Sequence, residues 1–148
     1  MPTEPRVAGA VADRVAVRRL GRTKDPAGLE QGRGYVSERS GARAVFCHNA
    51  EPMAFIAHLE FTPGLVRADH YHLRKKEFMA IVSGVVRAKF LLPEDPADVL
   101  EMTLEVGDVV SVAPGCVHSY RAEEKAAAVE YSPNLFQADD TFSHAIPW

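Results

Sequence analysis

The chain has 148 residues, a formal net charge of −3 and a hydrophobic content of 47%. This length suits one domain, and the mild negative charge gives no reason to expect nucleic acid or an anionic membrane as a partner. No apolar run reaches the roughly eighteen residues of a membrane-spanning helix. The N-terminal segment MPTEPRVAGAVADRV lacks the apolar core of a secretory signal. The two cysteines, Cys47 and Cys116, form no CxxC pair, so we predict a cytoplasmic protein with reduced thiols.

The sequence predicts little regular structure for residues 1–34. Residues 1–30 are expected to form an N-terminal arm that is partly loose. Within it, segment 13–20 is either a short strand or one helical turn, since Val15 and Val17 alternate with polar neighbours. Residues 21–34 hold four glycines and one proline, which is typical of a loop.

From residue 35 onwards the sequence predicts one strand after another. The segments are short, rich in β-branched and aromatic residues, and separated by turn residues. They lie at 35–39, 42–47, 53–61, 77–84, 85–92, 100–106, 107–115, 117–122 and 126–132. Segment 93–99 holds two prolines and is predicted as a loop, and 126–132 could also be helical, although its neighbours favour a strand. Strands at intervals of about ten residues predict an all-β sandwich or barrel.

The C-terminal tail, residues 133–148, is too apolar to be free in water. Its large apolar side chains are Leu135, Phe136, Phe142, Ile146 and Trp148. We expect the tail to pack on the barrel or on a second subunit. Together with the exposed edges of an open sheet, it predicts a homodimer.

The run DHYHLRKKEFMAIVSG, residues 69–84, carries the strongest chemical signal. In a strand His70 and His72 would point to the same face. Glu77 follows after a short turn and would begin the neighbouring strand, where Met79 and Ile81 share its inward face. An unpaired carboxylate on an apolar face is costly, and a divalent cation would remove that cost.

A fourth candidate ligand comes later in the chain. His118 follows the turn residues Pro114 and Gly115 and begins its strand at the rim position that Glu77 also occupies. Imidazole and carboxylate ligands suit one divalent metal ion, and zinc, iron, manganese, nickel and cobalt all stay open at this point. Four ligands leave a coordination position open for water or substrate. The alternative is a satisfied polar network in the core.

These residues resemble the two motifs of the cupin superfamily. The first motif, G-x5-H-x-H-x4-E-x6-G, is matched at every fixed position by Gly64, His70, His72, Glu77 and Gly84. The second, G-x5-P-x-G-x2-H-x3-N, is matched by Gly107, Gly115 and His118, whereas Ala113 and Ala122 depart from it. The resemblance implies that residues 1–148 form a single cupin domain, a double-stranded β-helix or jelly-roll barrel.

A narrower similarity points to sugar chemistry. The segments HYHLRKKEFMAIVSGVVRAKF, APGCVHSY and SPNLFQADDTF resemble the C-terminal cupin domain of capsular polysaccharide nucleotide-sugar reductases. That resemblance implies a role in polysaccharide biosynthesis and a zinc-dependent epimerisation of a 4-keto nucleotide sugar.

The function predicted from these features is a metal-dependent, redox-neutral isomerase or epimerase that acts on a small carbonyl substrate through an enolate. Tyr120 and Glu77 are the predicted catalytic residues, with Glu130 as a further possible pocket group. The predicted substrate-binding residues are Arg67, Arg74, Lys76 and Cys116, with Lys75 in the same cationic cluster. The competing interpretations are a solvated loop for the cations, ordinary packing for Tyr120 and a small buried apolar residue for Cys116.

Two other functions are compatible with the same ligand set. One is a non-haem iron dioxygenase, which would consume oxygen. The other is a non-catalytic cupin that binds a small molecule without converting it.

Overall fold

The computed structural model describes residues 10–19 and 51–148, together with the backbone of two strands between them. Those strands are β2 (Gly34–Arg39) and β3 (Ala42–Cys47), which pair with each other. Residues 21–33 of the predicted loop and most of the predicted arm lie outside the described residues, whereas Gly34 begins β2. Segment 13–20 contains both of its predicted alternatives, because a 3-10 turn at Ala12–Arg14 leads into strand β1 (Val15–Arg19).

Two five-stranded antiparallel sheets face each other and form a jelly roll. The first sheet has the order β1, β9 (Asp108–Val112), β6 (Glu77–Ser83), β11 (Ala126–Ser132) and β4 (Phe55–Phe61). The second has the order β12 (Phe142–Ser143), β5 (Val66–Tyr71), β10 (Val117–Arg121), β7 (Val85–Leu92) and β8 (Asp95–Glu105). The all-β prediction is confirmed, as is the strand at 126–132. The described residues contain no α-helix, and no helix among them could cross a membrane.

The core lies between the two sheets, because alternate residues of each strand point inward. The predicted inward face of β6 is confirmed, since Met79 and Ile81 are each 3% exposed. The first sheet contributes Phe61, Met79, Ile81, Val110, Val112 and Ala128, and the second contributes Val86, Ala88, Phe90, Leu104 and Tyr120. This packed interior fixes the distance between the sheets, and Glu77 stands at the end of its inward row on β6.

Two details of the strand prediction were wrong. Strand β8 begins at Asp95, so most of the segment predicted as the 93–99 loop is strand. Pro96 is tolerated there because β8 is an edge strand, where a missing backbone N–H breaks no interior ladder. Strand β6 does not pair with β5, because the short connection between them crosses from the second sheet to the first. The candidate ligands on β5 and β6 therefore face each other across the barrel.

A β-bulge interrupts β5 just before the first candidate ligand. His118 pairs with His70 and Ser119 pairs with Ala68, which leaves Asp69 without a partner in the register. Both Ala68 and Asp69 have positive φ, 71° and 56°. Such conformations are unfavourable for residues other than glycine and persist where surrounding contacts hold them. The bulge turns β5 so that His70 meets His118 directly.

The C-terminal tail packs on the outside of the second sheet. Strand β12 pairs with β5, and Ile146 is buried against Leu91 and Val117. The indole Nε1–H of Trp148 donates a hydrogen bond of 2.9 Å to Ser119 Oγ. The tail thereby covers one face of the barrel below the site.

Asp140, in a 3-10 turn of the tail, holds the connection between β5 and β6. Its carboxylate accepts hydrogen bonds from the backbone N–H groups of Leu73, Arg74 and Lys75, at 2.9 to 3.2 Å. Burial opposes ionisation, but these donors and the charge of Arg74 lower the pKa of Asp140. The connection that carries His72 and Lys75 therefore depends on a carboxylate far along the chain.

We expect Gly84→Ala to destabilise the protein more than Gly64→Ala. Both glycines have positive φ, +74° and +75°, so each alanine incurs backbone strain of about 1–2 kcal/mol. Only at Gly84 would the new Cβ also lie 2.6 Å from the carbonyl oxygen of Lys125, a backbone atom that cannot easily move. Urea unfolding measures the difference, and equal losses at the two positions would contradict this account.

We expect Asp140→Asn to lower the free energy of unfolding by about 2 kcal/mol, because the buried charge and one of its two acceptor oxygens are lost. The matched control is Asp139→Asn. Asp139 is 79% exposed and only pairs with Arg74 at the surface, so its loss is expected to stay below about 1 kcal/mol. Chemical denaturation of both variants tests the prediction, which fails if the two lose the same stability.

Candidate metal centre and cavity

Four candidate ligands converge at one end of the barrel. His70 on β5 and His118 on β10 are cross-strand partners in the second sheet. Glu77 begins β6 in the first sheet, and His72 lies in the connection that joins the sheets. The ligand atoms of these four residues all lie within 4.8 Å of one another. The sequence prediction grouped the same four residues, although His72 lies just beyond the end of β5.

Backbone carbonyls set the orientation of two of the histidines. Nδ1–H of His72 donates to the carbonyl oxygen of Asp140 at 2.6 Å, and Nδ1–H of His118 donates to that of Cys116 at 3.0 Å. A carbonyl oxygen can only accept, so Nδ1 carries the proton in both rings. Each ring therefore turns its Nε2 atom inward, as metal-binding histidines commonly do.

The inward atoms are electron-pair donors that face one another. His118 Nε2 lies 2.6 Å from Glu77 Oε2, and His72 Nε2 lies 3.2 Å from Glu77 Oε1. Both Nε2 atoms are buried, yet neither has a partner with hydrogen-bond geometry. Nitrogen and carboxylate lone pairs repel at these distances unless a positive charge lies between them. Three imidazoles and one carboxylate therefore fit a divalent cation such as zinc or iron.

The ionisation of His70 and Glu77 suits such a site. Burial, reinforced by His118, lowers the pKa of His70 to about 4, so its imidazole is neutral near pH 7. Burial opposes the charge of Glu77, but His118 and His72 hold the pKa of its carboxyl well below its usual value. Neutral imidazoles and an ionised carboxylate are the forms that bind metals.

The four residues line a cavity of about 270 Å³ that opens at the end of the barrel. One wall is apolar and comes from β4 and the tail, through Phe55, Ala57, Leu59 and Phe136. The polar lining outside the candidate ligands consists of Arg67, Lys75, Tyr120, Glu130 and Thr141. An apolar cavity with a few convergent polar groups is the usual form of a small-molecule site.

Two charged residues of the cavity form a pair that the sequence prediction did not single out. Lys75 Nζ lies 2.8 Å from Glu77 Oε1 and 2.8 Å from Glu130 Oε1. Burial opposes the charge of Lys75, but Glu77 and Glu130 raise its pKa. Burial and the neighbouring Glu77 raise the pKa of Glu130. The only signal in the sequence was the spacing of Lys75 and Glu77, because residues two apart point to the same side of an extended chain. Lys75 had been grouped with its surface neighbours instead.

The predicted substrate-binding residues separate into two groups. Arg67 lines the cavity. Arg74, Lys76 and Cys116 do not. Arg74 pairs with Asp139 at 3.1 Å, and Lys76 pairs with Glu51 at 2.5 Å.

Cys116 and Tyr120 are both buried, with different consequences. Burial raises the pKa of Cys116 to about 12, and its thiol donates to a backbone carbonyl rather than facing the cavity. Tyr120 does line the cavity, with its ring 5.8 Å from that of His118. Burial raises the pKa of Tyr120 well above its usual value, as do Glu77 and Glu130. Its hydroxyl therefore keeps its proton near pH 7.

Solved structures of similar fold include enzymes of sugar nucleotides. A mutant of the 3,4-ketoisomerase QdtA from Thermoanaerobacterium thermosaccharolyticum, in complex with TDP-4-keto-6-deoxyglucose, has a TM-score of 0.68 at 8% identity, over 87% of this chain and 86% of that chain. The dTDP-6-deoxy-D-glucose-3,5-epimerase RmlC from Legionella pneumophila, in complex with dTDP-4-keto-L-rhamnose, has a TM-score of 0.62 at 11% identity, with 74% and 69% covered. At these identities the likeness concerns the fold.

A third similar structure is the capsular polysaccharide assembling protein CapF from Staphylococcus aureus. Its TM-score is 0.59 at 16% identity, over 76% of this chain but only 34% of that longer chain. The predicted resemblance to capsular polysaccharide enzymes agrees with this neighbour. Comparison with curated proteins found no match.

The family model described as Cupin matches residues 29–145. This range includes both motifs and all strands from β2 to β12. It agrees with the two facing sheets and with the histidine and glutamate cluster at the barrel end. The chain therefore belongs to the cupin family.

Proposed function

We propose that this cupin is a metal-dependent isomerase or epimerase that acts on a keto sugar carried by a nucleotide, or on a closely similar carbonyl compound. The observation that carries the proposal is the composition of the cavity. Four candidate metal ligands and a carboxylate outside that set, Glu130, line the same space of about 270 Å³. Metal-assisted removal of a proton beside a ketone needs both features.

The structural neighbours support the sugar substrate. The two enzymes described above are a ketoisomerase and an epimerase, and both were solved with a 4-keto sugar attached to a nucleotide. Moving a ketone to the next carbon and inverting a carbon beside a ketone begin alike, with removal of a proton from that carbon. One kind of cavity can therefore serve either reaction, and we leave the choice between them to experiment.

The chain's own residues divide the work in this proposal. A divalent metal ion held by His70, His72, Glu77 and His118 would supply a Lewis acid that stabilises negative charge on a carbonyl oxygen. Glu130 is the cavity carboxylate outside the ligand set, and we assign to it the acceptance of the substrate proton. Tyr120 keeps its own proton near pH 7 and therefore serves as a hydrogen-bond or proton donor. Glu77 belongs with the ligands, because both of its oxygens already contact His72, His118 or Lys75.

The cavity size and Arg67 suggest how such a substrate lies. Small-molecule sites usually enclose about 300–1,000 Å³, so a cavity of about 270 Å³ holds a sugar-sized group rather than a whole sugar nucleotide. The diphosphate would then lie at the mouth, where Arg67 lines the cavity as an exposed cation. The homodimer and the cytoplasmic location predicted from sequence stay predictions.

We expect the purified protein to bind about one equivalent of zinc or iron, and His118→Ala to weaken that binding by at least about 100-fold. Removing only an outer hydrogen-bond partner of a metal ligand already costs about 10–100-fold. Elemental analysis and competition with a chelator provide the measurement. His58→Ala is the control, because His58 is exposed on β4 and lies outside the cluster. Unchanged metal affinity in His118→Ala would remove the metal site from the proposal.

We expect the metal-loaded protein to catalyse uptake of solvent deuterium at a carbon beside the ketone of TDP-4-keto-6-deoxyglucose. Glu130→Gln is expected to lower that rate by about 100-fold or more, the usual effect of removing a general base. Mass spectrometry of the recovered sugar in deuterated water measures the exchange. Glu60→Gln is the control, because Glu60 lies on β4 with its side chain 85% exposed and outside the site cavity.

Other outcomes would favour the other cupin functions. Oxygen consumption by the iron-loaded protein, with no deuterium exchange, would replace the isomerase with an oxidative enzyme. Tight binding of the sugar nucleotide without exchange or product, under every metal tested, would leave a binding protein. Exchange that persists in Glu130→Gln would keep the isomerase and overturn the role of Glu130.

A further inference from the structure

Lys75 is a buried lysine at the centre of the candidate site. Its side chain is 5% exposed, although lysine is among the residues least often buried. It lies in the connection between β5 and β6, where its backbone N–H donates to Asp140 Oδ2 at 3.1 Å. This anchored backbone directs the side chain into the barrel instead of into solvent.

The ammonium group of Lys75 lies among two carboxylates and two aromatic rings, of which Phe136 is the farther at 5.9 Å. It donates to Glu77 Oε1 and to Glu130 Oε1, each at 2.8 Å, and it lies 4.4 Å from the centre of the Phe55 ring. Two carboxylates and one aromatic face match the three N–H bonds of an ammonium. The group is therefore fixed in position, unlike a lysine at the surface.

The position of the ammonium makes the two oxygens of Glu77 different. Oε1 already accepts a hydrogen bond from Lys75, so it lies beside a positive charge that would repel a second cation. Oε2 lies 2.6 Å from His118 Nε2 and accepts no hydrogen bond from the ammonium, whereas Oε1 shares its position between Lys75 and His72 Nε2, which lies 3.2 Å away. A cation at the cluster would meet Oε2 without that repulsion.

We propose that Lys75 is a positioning residue of the metal site: it occupies Oε1 of Glu77, so that this carboxylate binds a metal ion through Oε2 alone. The inference rests on the metal site of the proposed function and extends it. A single oxygen from Glu77 leaves more of the coordination sphere for substrate than a two-oxygen grip would. Lys75 also holds Glu130 in the cavity, outside the ligand set.

Cobalt substitution tests this role without measuring activity, because the intensity of the visible absorption of Co²⁺ falls as its coordination number rises. We expect Lys75→Met to free Oε1, add a second Glu77 oxygen to the metal and reduce that absorption severalfold. Lys75→Arg keeps a cation beside Oε1 and is expected to retain most of the wild-type intensity. Glu130→Gln leaves the contact between Lys75 and Glu77 intact, so its spectrum should match the wild type.

Lys76→Met is the matched control, because Lys76 is adjacent in sequence but pairs with Glu51 away from the cluster. Equal cobalt spectra for Lys75→Met and wild type would overturn the inference. A crystal structure of the wild-type cobalt protein gives an answer even if Lys75→Met does not fold. One oxygen from Glu77 is expected there, and two would overturn the inference.

Failure of the metal site itself would look different. If wild-type protein binds no cobalt, the metal-dependent function fails before Lys75 is tested. If cobalt binds with two oxygens from Glu77, the metal site stands and only the role of Lys75 is lost.

Discussion

The site depends on the contacts that the Glu77 carboxylate makes. It stands at the end of an otherwise apolar inward row on β6, and the Nε2 atoms of His72 and His118 lie 3.2 Å and 2.6 Å from its oxygens. Lone pairs of these oxygen and nitrogen atoms face one another in a buried site, which is unfavourable unless a positive charge lies nearby. Lys75 supplies one fixed charge, and a divalent cation would supply the other. The cavity is therefore chemically asymmetric, with a polar centre against an apolar wall.

The fold produces this convergence because the two sheets meet at the end of the barrel. His70 and His118 share a cross-strand position in one sheet, whereas Glu77 begins a strand of the other. The packed core sets the separation of the sheets, and the ligands span it. The C-terminal tail adds the last constraint, since the carboxylate of Asp140 caps the connecting loop and its carbonyl orients His72. A metal site needs such rigid support, because it tolerates little displacement of its ligands.

Much of this arrangement could be predicted because it is encoded in short-range spacing. Period-two alternation identified most strands, although β5 was not among the predicted segments. The segment around Pro96 was misread, since a proline on an edge strand looks like a loop from sequence. The spacing of His70, His72 and Glu77 indicated a metal site and pointed to the cupin family. Lys75 was missed as a site residue, because a lysine among other cations most often belongs to a solvated loop.

What the sequence determined by itself was the ligand types, their order and the strands that carry them, because these follow from local periodicity and motif spacing. Tertiary structure alone decided which groups meet. The bulge at Asp69 aligns His70 with His118, and no residue type in the sequence announces it. The pairing of Lys75 with Glu130 joins residues 55 positions apart, and the bond from His72 to Asp140 joins residues 68 positions apart. Such contacts depend on how the sheets and the tail pack together. The pattern of residues along the chain does not reveal that packing.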